Sequence, residues 1–169
     1  NANAVIPFLE LWRRDFSQAW SKWCGWPETY IRYIAYVYAR YHANSIFFSP
    51  IHLDTPDASI PTRDYNSPIR TYLARYGAPP FGSMVSTNAS PSTLINYGNV
   101  EWIDFHQIGN DPREHVSYWY LKQQYANEPT KPALNGEPYT PGFPPSTKID
   151  MFGEEAAANC RAGMYGSVL

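Results

Sequence analysis

Short, fully apolar runs alternate along this chain with stretches whose apolar residues recur at helical spacing. Residues 4–9, Ala-Val-Ile-Pro-Phe-Leu, form a continuous apolar run. Such a run predicts a strand buried on both faces, as in a parallel sheet, although Pro7 lacks a ladder donor. A polar loop is expected over 10–26. Pro27 then opens a helix whose apolar positions Ile31, Ile34, Ala35, Tyr38 and Ala39 recur at helical spacing. Ser45-Ile46-Phe47-Phe48-Ser49 is a second short strand ended by Pro50, with a long loop over 51–66. A helix over 67–76 stops at Gly77-Ala78-Pro79-Pro80, and a third strand covers 82–87. A turn at 91–96 leads to a fourth strand at 101–105, with His106 and Gln107 at its C-terminal end. Asp111-Pro112 starts a helix reaching about Ala126, with an acceptor at the cap and proline behind it. Residues 131–135 are a fifth strand. After a Pro/Gly-rich loop, a last helix begins near Asp150 and carries Ala156, Ala157 and Ala158.

This order places the chain in the α/β class, as one domain over 1–169 built on a parallel sheet. Two architectures fit: an arc of a (β/α)8 TIM barrel, which closes with eight strands, or a complete small doubly wound sheet. Polar residues choose between them. Glu10, the His52/Asp54 pair, Asn88, His106 and Glu137 each follow a strand. A barrel builds its site from many strand ends at once, whereas an open sheet concentrates function at one switch point, so the barrel is favoured. The expectation is five parallel strands, adjacent in chain order, with these residues at one end.

Composition narrows the function. The 169 residues are 44% hydrophobic and 17% charged, with net charge −2 and no basic run. That is enough to bury a core, and it disfavours a non-specific nucleic-acid binder. No apolar stretch reaches transmembrane length. Six Trp, fourteen Tyr and eight Phe supply flat apolar faces suited to stacking on sugar rings, or to an aromatic core. Cys24 and Cys160 define no disulfide framework and read as free thiols. The chain opens Asn-Ala-Asn and closes Met-Tyr-Gly-Ser-Val-Leu, and it reads as a piece cut at both ends.

Glu137 follows a buried strand between Gly136, which lets the backbone turn sharply, and Pro138, which stiffens the exit. Asp54 is a second carboxylate. Glu10 is a third, or a ligand for a sugar hydroxyl, or the partner of Arg13 or Arg14. Asn88 reads as a sugar ligand or, in Asn88-Ala89-Ser90, as a glycosylation acceptor, which a strand end inside a pocket argues against. His106 and Gln107 read as hydrogen-bonding substrate hydroxyls or orienting Glu137. Trp12, Trp102, Trp119 and Tyr139 are possible stacking platforms, Tyr139 foremost. His52, Asp54, His106 and Glu137 could instead hold a divalent metal, but the His-x-His spacing usual in such barrels is missing, so neither a metal nor a cofactor is expected.

Tyr30-Ile31-Arg32-Tyr33, Ala39-Arg40-Tyr41, the strand at 45–49, Asn135-Gly136-Glu137-Pro138 and the segment Ala156-Ala157-Ala158-Asn159-Cys160-Arg161-Ala162-Gly163 together resemble the apiosidase-like glycoside hydrolase barrels, a (β/α)8 family formerly of unknown function. The resemblance covers most of the chain from residue 27. It implies that the five strands are the third to the seventh, and that the rest of the barrel, or another chain, lies beside them. In the wider clan of retaining barrel glycosidases, the acid/base follows strand four and the nucleophile strand seven. On that count Glu137 is the nucleophile and Asp54 the acid/base, with Glu10 the second choice. Glu10, His52, Asn88, His106, Gln107, Asn135 and Tyr139 then contact a carbohydrate substrate, with no nucleic acid or membrane involved. A secreted or periplasmic location is implied by the resemblance alone. Strand four of the clan often ends directly in an acidic residue, where this chain has Ser49-Pro50. The alternatives are therefore an inactive carbohydrate-binding relative and a metal-dependent barrel hydrolase.

Overall fold

In the computed structural model, the described residues are 5–11, 17–54, 60–89, 92–108 and 118–136, with Glu154, Ala157, Ala158 and Arg161. Strand β1 (Phe8–Glu10) pairs in parallel with β2 (Phe47–Ser49), with Phe8 opposite Phe47 and Glu10 opposite Ser49. The chain resumes as β3 (His52–Asp54), which pairs in parallel with β4 (Asn88–Ala89). Phe48 bridges Val85 in the same sense, so β2 and β3 are one strand interrupted at Pro50-Ile51 beside a strand running from Val85 to Ala89. Asp104 N donates to Val85 O at 2.8 Å, which brings the fourth strand alongside. That strand ends in β5 (His106–Ile108), and β5 pairs in parallel with β6 (Ala133–Asn135). Five strand positions thus follow chain order. One antiparallel bridge, between Ser92 and Ile108, joins a loop to the end of β5 and is not a strand pair.

The sheet is curled. Phe8 on the first strand and Phe105, in the turn that leads directly into the fourth, are separated by two intervening strands, about 14 Å apart in a flat sheet. Yet their ring centroids lie 6.2 Å apart, and Phe47 lies 5.5 Å from Phe105. Only a sheet bent toward these rings brings them together. The helices sit on the opposite, convex face. Helix α1 (Ser17–Lys22) leads to α2 (Glu28–Tyr41), and α3 (Asn66–Tyr76) packs on α2. Tyr38 of α2 stacks on Phe48 at 4.1 Å and meets Tyr72 of α3 at 5.2 Å. Short α4 (Thr93–Tyr97) and α5 (Tyr118–Tyr125) complete the described helices. Glu154, Ala157, Ala158 and Arg161 are helical, within the last predicted helix. Strands curled one way with helices outside are the (β/α)-barrel class, and an open doubly wound sheet, covered on both faces, does not fit.

Several boundaries differ from expectation. The stretch 17–22 is a helix inside the predicted loop, held by buried Trp20 against Tyr30 at 5.5 Å. One anchoring ring leaves no periodicity to read. The second strand does not end at Pro50. Tyr30 OH donates to Pro50 O at 2.8 Å and Ser49 Oγ donates to Ile51 O at 2.5 Å, which satisfies the interruption and lets the strand resume. Residues 93–97 form a helix capped by Ser92, whose Oγ accepts from Ile95 N. The fourth strand lies at 106–108, not 101–105. Trp102, Ile103 and Phe105 are buried in a turn, held by Trp102 Nε1 donating to Asn66 and by the Arg70–Glu101 ion pair. Apolar content alone does not separate a buried turn from a strand. In the helix from 27, Tyr30 and Val37 are buried and Ala39 is exposed. The predicted helix start at Asp111-Pro112 lies outside the described residues. Cys24 is a free thiol, and Cys160 lies outside them. No described helix is long and apolar enough to cross a membrane.

Replacing Phe105 by Ala removes the ring that meets Phe8 and Phe47 inside the curl. The expected loss is about 3–5 kcal/mol of unfolding free energy, measured by urea denaturation. Leu134→Ala, at a half-exposed position, should cost under about 1.5 kcal/mol. Equal effects would refute the packing described.

Candidate functional site at the strand ends

Alternation along each strand assigns side chains to the two faces. Phe8 and Glu10 share the concave face, as do Phe105 and Gln107. At the C-terminal end of that face, Glu10 Oε2 is paired with His52 Nδ1, joining the ends of the first two strands. Asn88 is directly opposite His52 in the ladder and is buried, and its Oδ1 has no hydrogen-bond partner among the described residues. A buried amide oxygen left open costs about 1–3 kcal/mol unless something supplies a donor. Burial in a strand also makes it unsuitable as a glycosylation acceptor. Tyrosines of α2 brace this end from behind: Tyr30 holds Pro50 O, and Tyr33 OH donates to Leu11 O at 3.3 Å.

The other predicted residues fall into three groups. Asp54 closes β3, with its backbone beside Ala89; its side chain is not among those described. Glu137 and Tyr139 lie outside the described residues, as does Trp12, and the ring of Trp119 is not described. Gln107 lies on the concave face but is buried, its Nε2 donating to Thr87 O at 2.7 Å and to Ser86 Oγ at 3.3 Å. Its donor is spent within the protein rather than offered to a hydroxyl. Asn135 pairs with Ile108, on the face opposite Gln107. Trp102 is buried edge-on against Tyr97, so it is core and not a stacking platform.

His106 also departs from its predicted place. It lies within β5, fully buried on the helix side. Its Nε2–H donates to Asn99 Oδ1 at 2.9 Å, and its Nδ1 accepts from the Thr93 hydroxyl at 3.1 Å. Asn99 is oriented by its own Nδ2 donating to Glu128 O at 2.6 Å. These bonds suit a neutral ring. Burial, assisted by the nearby Lys131 ammonium, pushes the His106 pKa down from 6.5 to about 4. With both nitrogens occupied, His106 serves neither substrate nor metal as placed. His106 therefore does not join His52 in a metal set, Glu137 and the side chain of Asp54 are not among those described, and no group of three potential metal ligands occurs among the described residues. Sequence reading placed His106 at a strand end because it set the strand five residues early; Thr93 and Asn99, its partners, carry no signal of their own in the sequence.

The depressed His106 pKa has a definite sign. The folded state holds the ring neutral while the unfolded chain protonates it near pH 6.5, so its contribution to stability is present above that pH and is lost as pH falls toward 4. His106→Gln should therefore destabilise more at pH 7 than at pH 5. Urea midpoints of both proteins at the two pH values check this, and a pH-independent difference would refute it.

Comparison with known proteins agrees with this architecture. The chain is similar to a glycoside hydrolase family 5 protein from Bacteroides vulgatus ATCC 8482, with TM-score 0.51 and 15% identity over 69% of this chain and 28% of that one. A second solved structure, named a glycoside hydrolase, aligns with TM-score 0.60 and 13% identity over 83% of this chain and 36% of that one. The chain thus spans about a third of the length of these structures, and at such identities the likeness is one of fold. No curated protein matches it. The family model described as "Apiosidase-like, catalytic domain" matches residues 1–169. A curled parallel sheet backed by helices, polar groups gathered at its C-terminal strand ends and a match along the whole length agree: the chain belongs to the apiosidase-like catalytic domain family.

Proposed function

We propose that this chain is part of a retaining glycoside hydrolase that cleaves a glycosidic bond in an oligosaccharide or polysaccharide, with Glu137 as nucleophile and Asp54 as general acid/base. The observation that carries this reading is the convergence of Glu10, His52 and Asn88 from three strands on the concave C-terminal end, where barrel enzymes hold their substrates. Asn88, with its open buried Oδ1, accepts a sugar hydroxyl, and the Glu10–His52 pair offers both an acceptor and a donor. Tyr139 provides the stacking face. On this reading the strands are the third to the seventh of eight, and the arc is closed by further strands beside β1 and β6. The protein acts outside the cytoplasm, on extracellular carbohydrate.

Glycosidic cleavage by retention needs two carboxyl groups about 5–5.5 Å apart, one attacking the anomeric carbon and the other protonating the leaving oxygen. Glu137→Gln keeps the shape and removes the attacking charge, so turnover of an aryl glycoside should fall by at least about 10³-fold while sugar binding survives. Asp54→Asn should hurt substrates with poor leaving groups far more than activated aryl glycosides, which need little protonation. Near-normal turnover by Glu137→Gln would sink the assignment.

A second reading, an inactive carbohydrate-binding relative, is favoured by Ser49. This residue occupies the place where the clan often carries an acid, and its hydroxyl is buried and tied to Ile51 O. Isothermal titration with oligosaccharides, showing binding by wild type without turnover, would establish it.

A further inference from the structure

Among the described residues, Phe81 alone combines a side chain with left-handed backbone, at φ 61° and ψ 20°. That conformation is strained for any residue with a Cβ, and Gly82 beside it adopts it freely. Burial does not offset the strain, because Phe81 is 84% exposed. Strain that the protein's own packing does not explain points to use at a site. Phe81 precedes the third strand, and His42 to Ser45 precede β2. Both segments lie at the N-terminal end of the sheet, opposite Glu10, His52 and Asn88. That end of a (β/α) barrel ordinarily serves stability, and an exposed, strained ring does not serve it.

The surroundings of Phe81 are those of a small-ligand site. His42 lies behind it, the two rings nearly parallel at 14° with centroids 5.6 Å apart. His42 Nδ1–H donates to Ala39 O at 2.6 Å, which fixes the backing ring. Beside Phe81 is a cavity of about 430 Å³, in the range of small-molecule pockets. Met84 adds apolar wall, and Asn44, Ser45 and Ser83 add an amide and two hydroxyls. Asn44 is held in place by its Nδ2 donating to Tyr41 O at 3.2 Å. The described lining includes no carboxylate, Lys or Arg. A flat apolar face rimmed by neutral hydrogen-bonding groups matches a sugar ring, which has a C–H face and hydroxyls at its edge.

We propose that Phe81 is the platform of a second carbohydrate site, where a neutral sugar ring stacks on Phe81 and bonds Asn44, Ser45 and Ser83 at its edge. The choice of a sugar as ligand rests on the glycosidase reading; the existence of a site rests on the strained, exposed ring and its cavity. Standing at the far end of the strands, the site holds a polymer to the protein without entering the cleft.

The test uses the full polypeptide that carries this segment. Hydroxyl-radical footprinting, read at Phe81 by mass spectrometry, is run alone and with cellohexaose, xylohexaose, mannohexaose or, as acidic control, hexagalacturonate. Phe81 should be oxidised in the free protein and protected by at least one neutral hexasaccharide, but not by the acidic one. Phe81→Ala should weaken binding of the corresponding polymer on the order of tenfold, with turnover of an aryl monoglycoside unchanged. Phe81→Gly should lose the same affinity while Tm stays equal or rises, because glycine relieves the left-handed strain. Three results would overturn the proposal: Phe81 shielded in the free protein, protection by no neutral hexasaccharide or equally by the acidic one, or a lower Tm for Phe81→Gly, which makes the ring a packing element. If aryl glycosides are not turned over while Phe81 is still protected, the glycosidase reading fails and the second site stands. Normal turnover without protection sinks the second site alone.

Discussion

Phe8 stands on the first strand and Phe105 just before the fourth, positions that a flat sheet would hold far apart, and their ring centroids lie 6.2 Å from one another. Burial of these rings with Phe47 requires the sheet to bend, and bending has two consequences. Residues that alternate with the rings, such as Glu10 after Phe8 and Gln107 after Phe105, are directed into one concavity, and the interruption at Pro50-Ile51 shifts the phase of the second strand so that His52 joins Glu10 there, opposite Asn88. Every residue in the opposite phase is delivered to the helix layer, where Phe48 meets Tyr38 and His106 meets Thr93 and Asn99.

The two faces are held by different physics. The convex side is aromatic packing with hydroxyl tips: Tyr30, Tyr65, Trp20 and Trp26 pack at centroid distances from 5.0 to 5.5 Å, and Tyr30 spends its hydroxyl on Pro50. The concave side becomes polar toward the strand ends, where Gln107 is buried with its amide donating to Ser86 Oγ and to the Thr87 carbonyl. A buried network whose donors are used internally is rigid. Next to it, Asn88 keeps an open acceptor. A rigid network beside an open polar group is the combination a preorganised binding site requires.

Most helices and the strand count were legible from the chain. The pattern from Ile31 to Tyr38 marks a helix that the structure places at Glu28–Tyr41, and Gly77 ends α3 where expected. Boundaries set by single tertiary bonds were not legible. Nothing local says that Tyr30 will satisfy Pro50 and let the second strand continue to Asp54, or that Arg70 will hold Glu101 in a turn and delay the fourth strand to His106. Of the site residues, Glu10, His52 and Asn88 could be picked out as polar groups following apolar runs. Gln107 was picked out in the same way, but its partners were not: its amide donates to Ser86 Oγ and Thr87 O on the neighbouring strand, which nothing local in the sequence marks.

The sequence by itself determined the α/β class, the alternation of strands and helices, and the position of Glu10 at a strand end, because these depend on periodicity and on residue types within a few positions of one another. Tertiary structure alone decided the curl of the sheet, the face on which each polar group stands, and the partner each group finds. Those depend on contacts between residues far apart in the chain. Register there is phased in steps of one residue, and one step carries a side chain from the cavity to the core. His106 and Gln107 are adjacent in sequence and alike in polarity. The ladder sends one into the helix layer and the other toward the cavity.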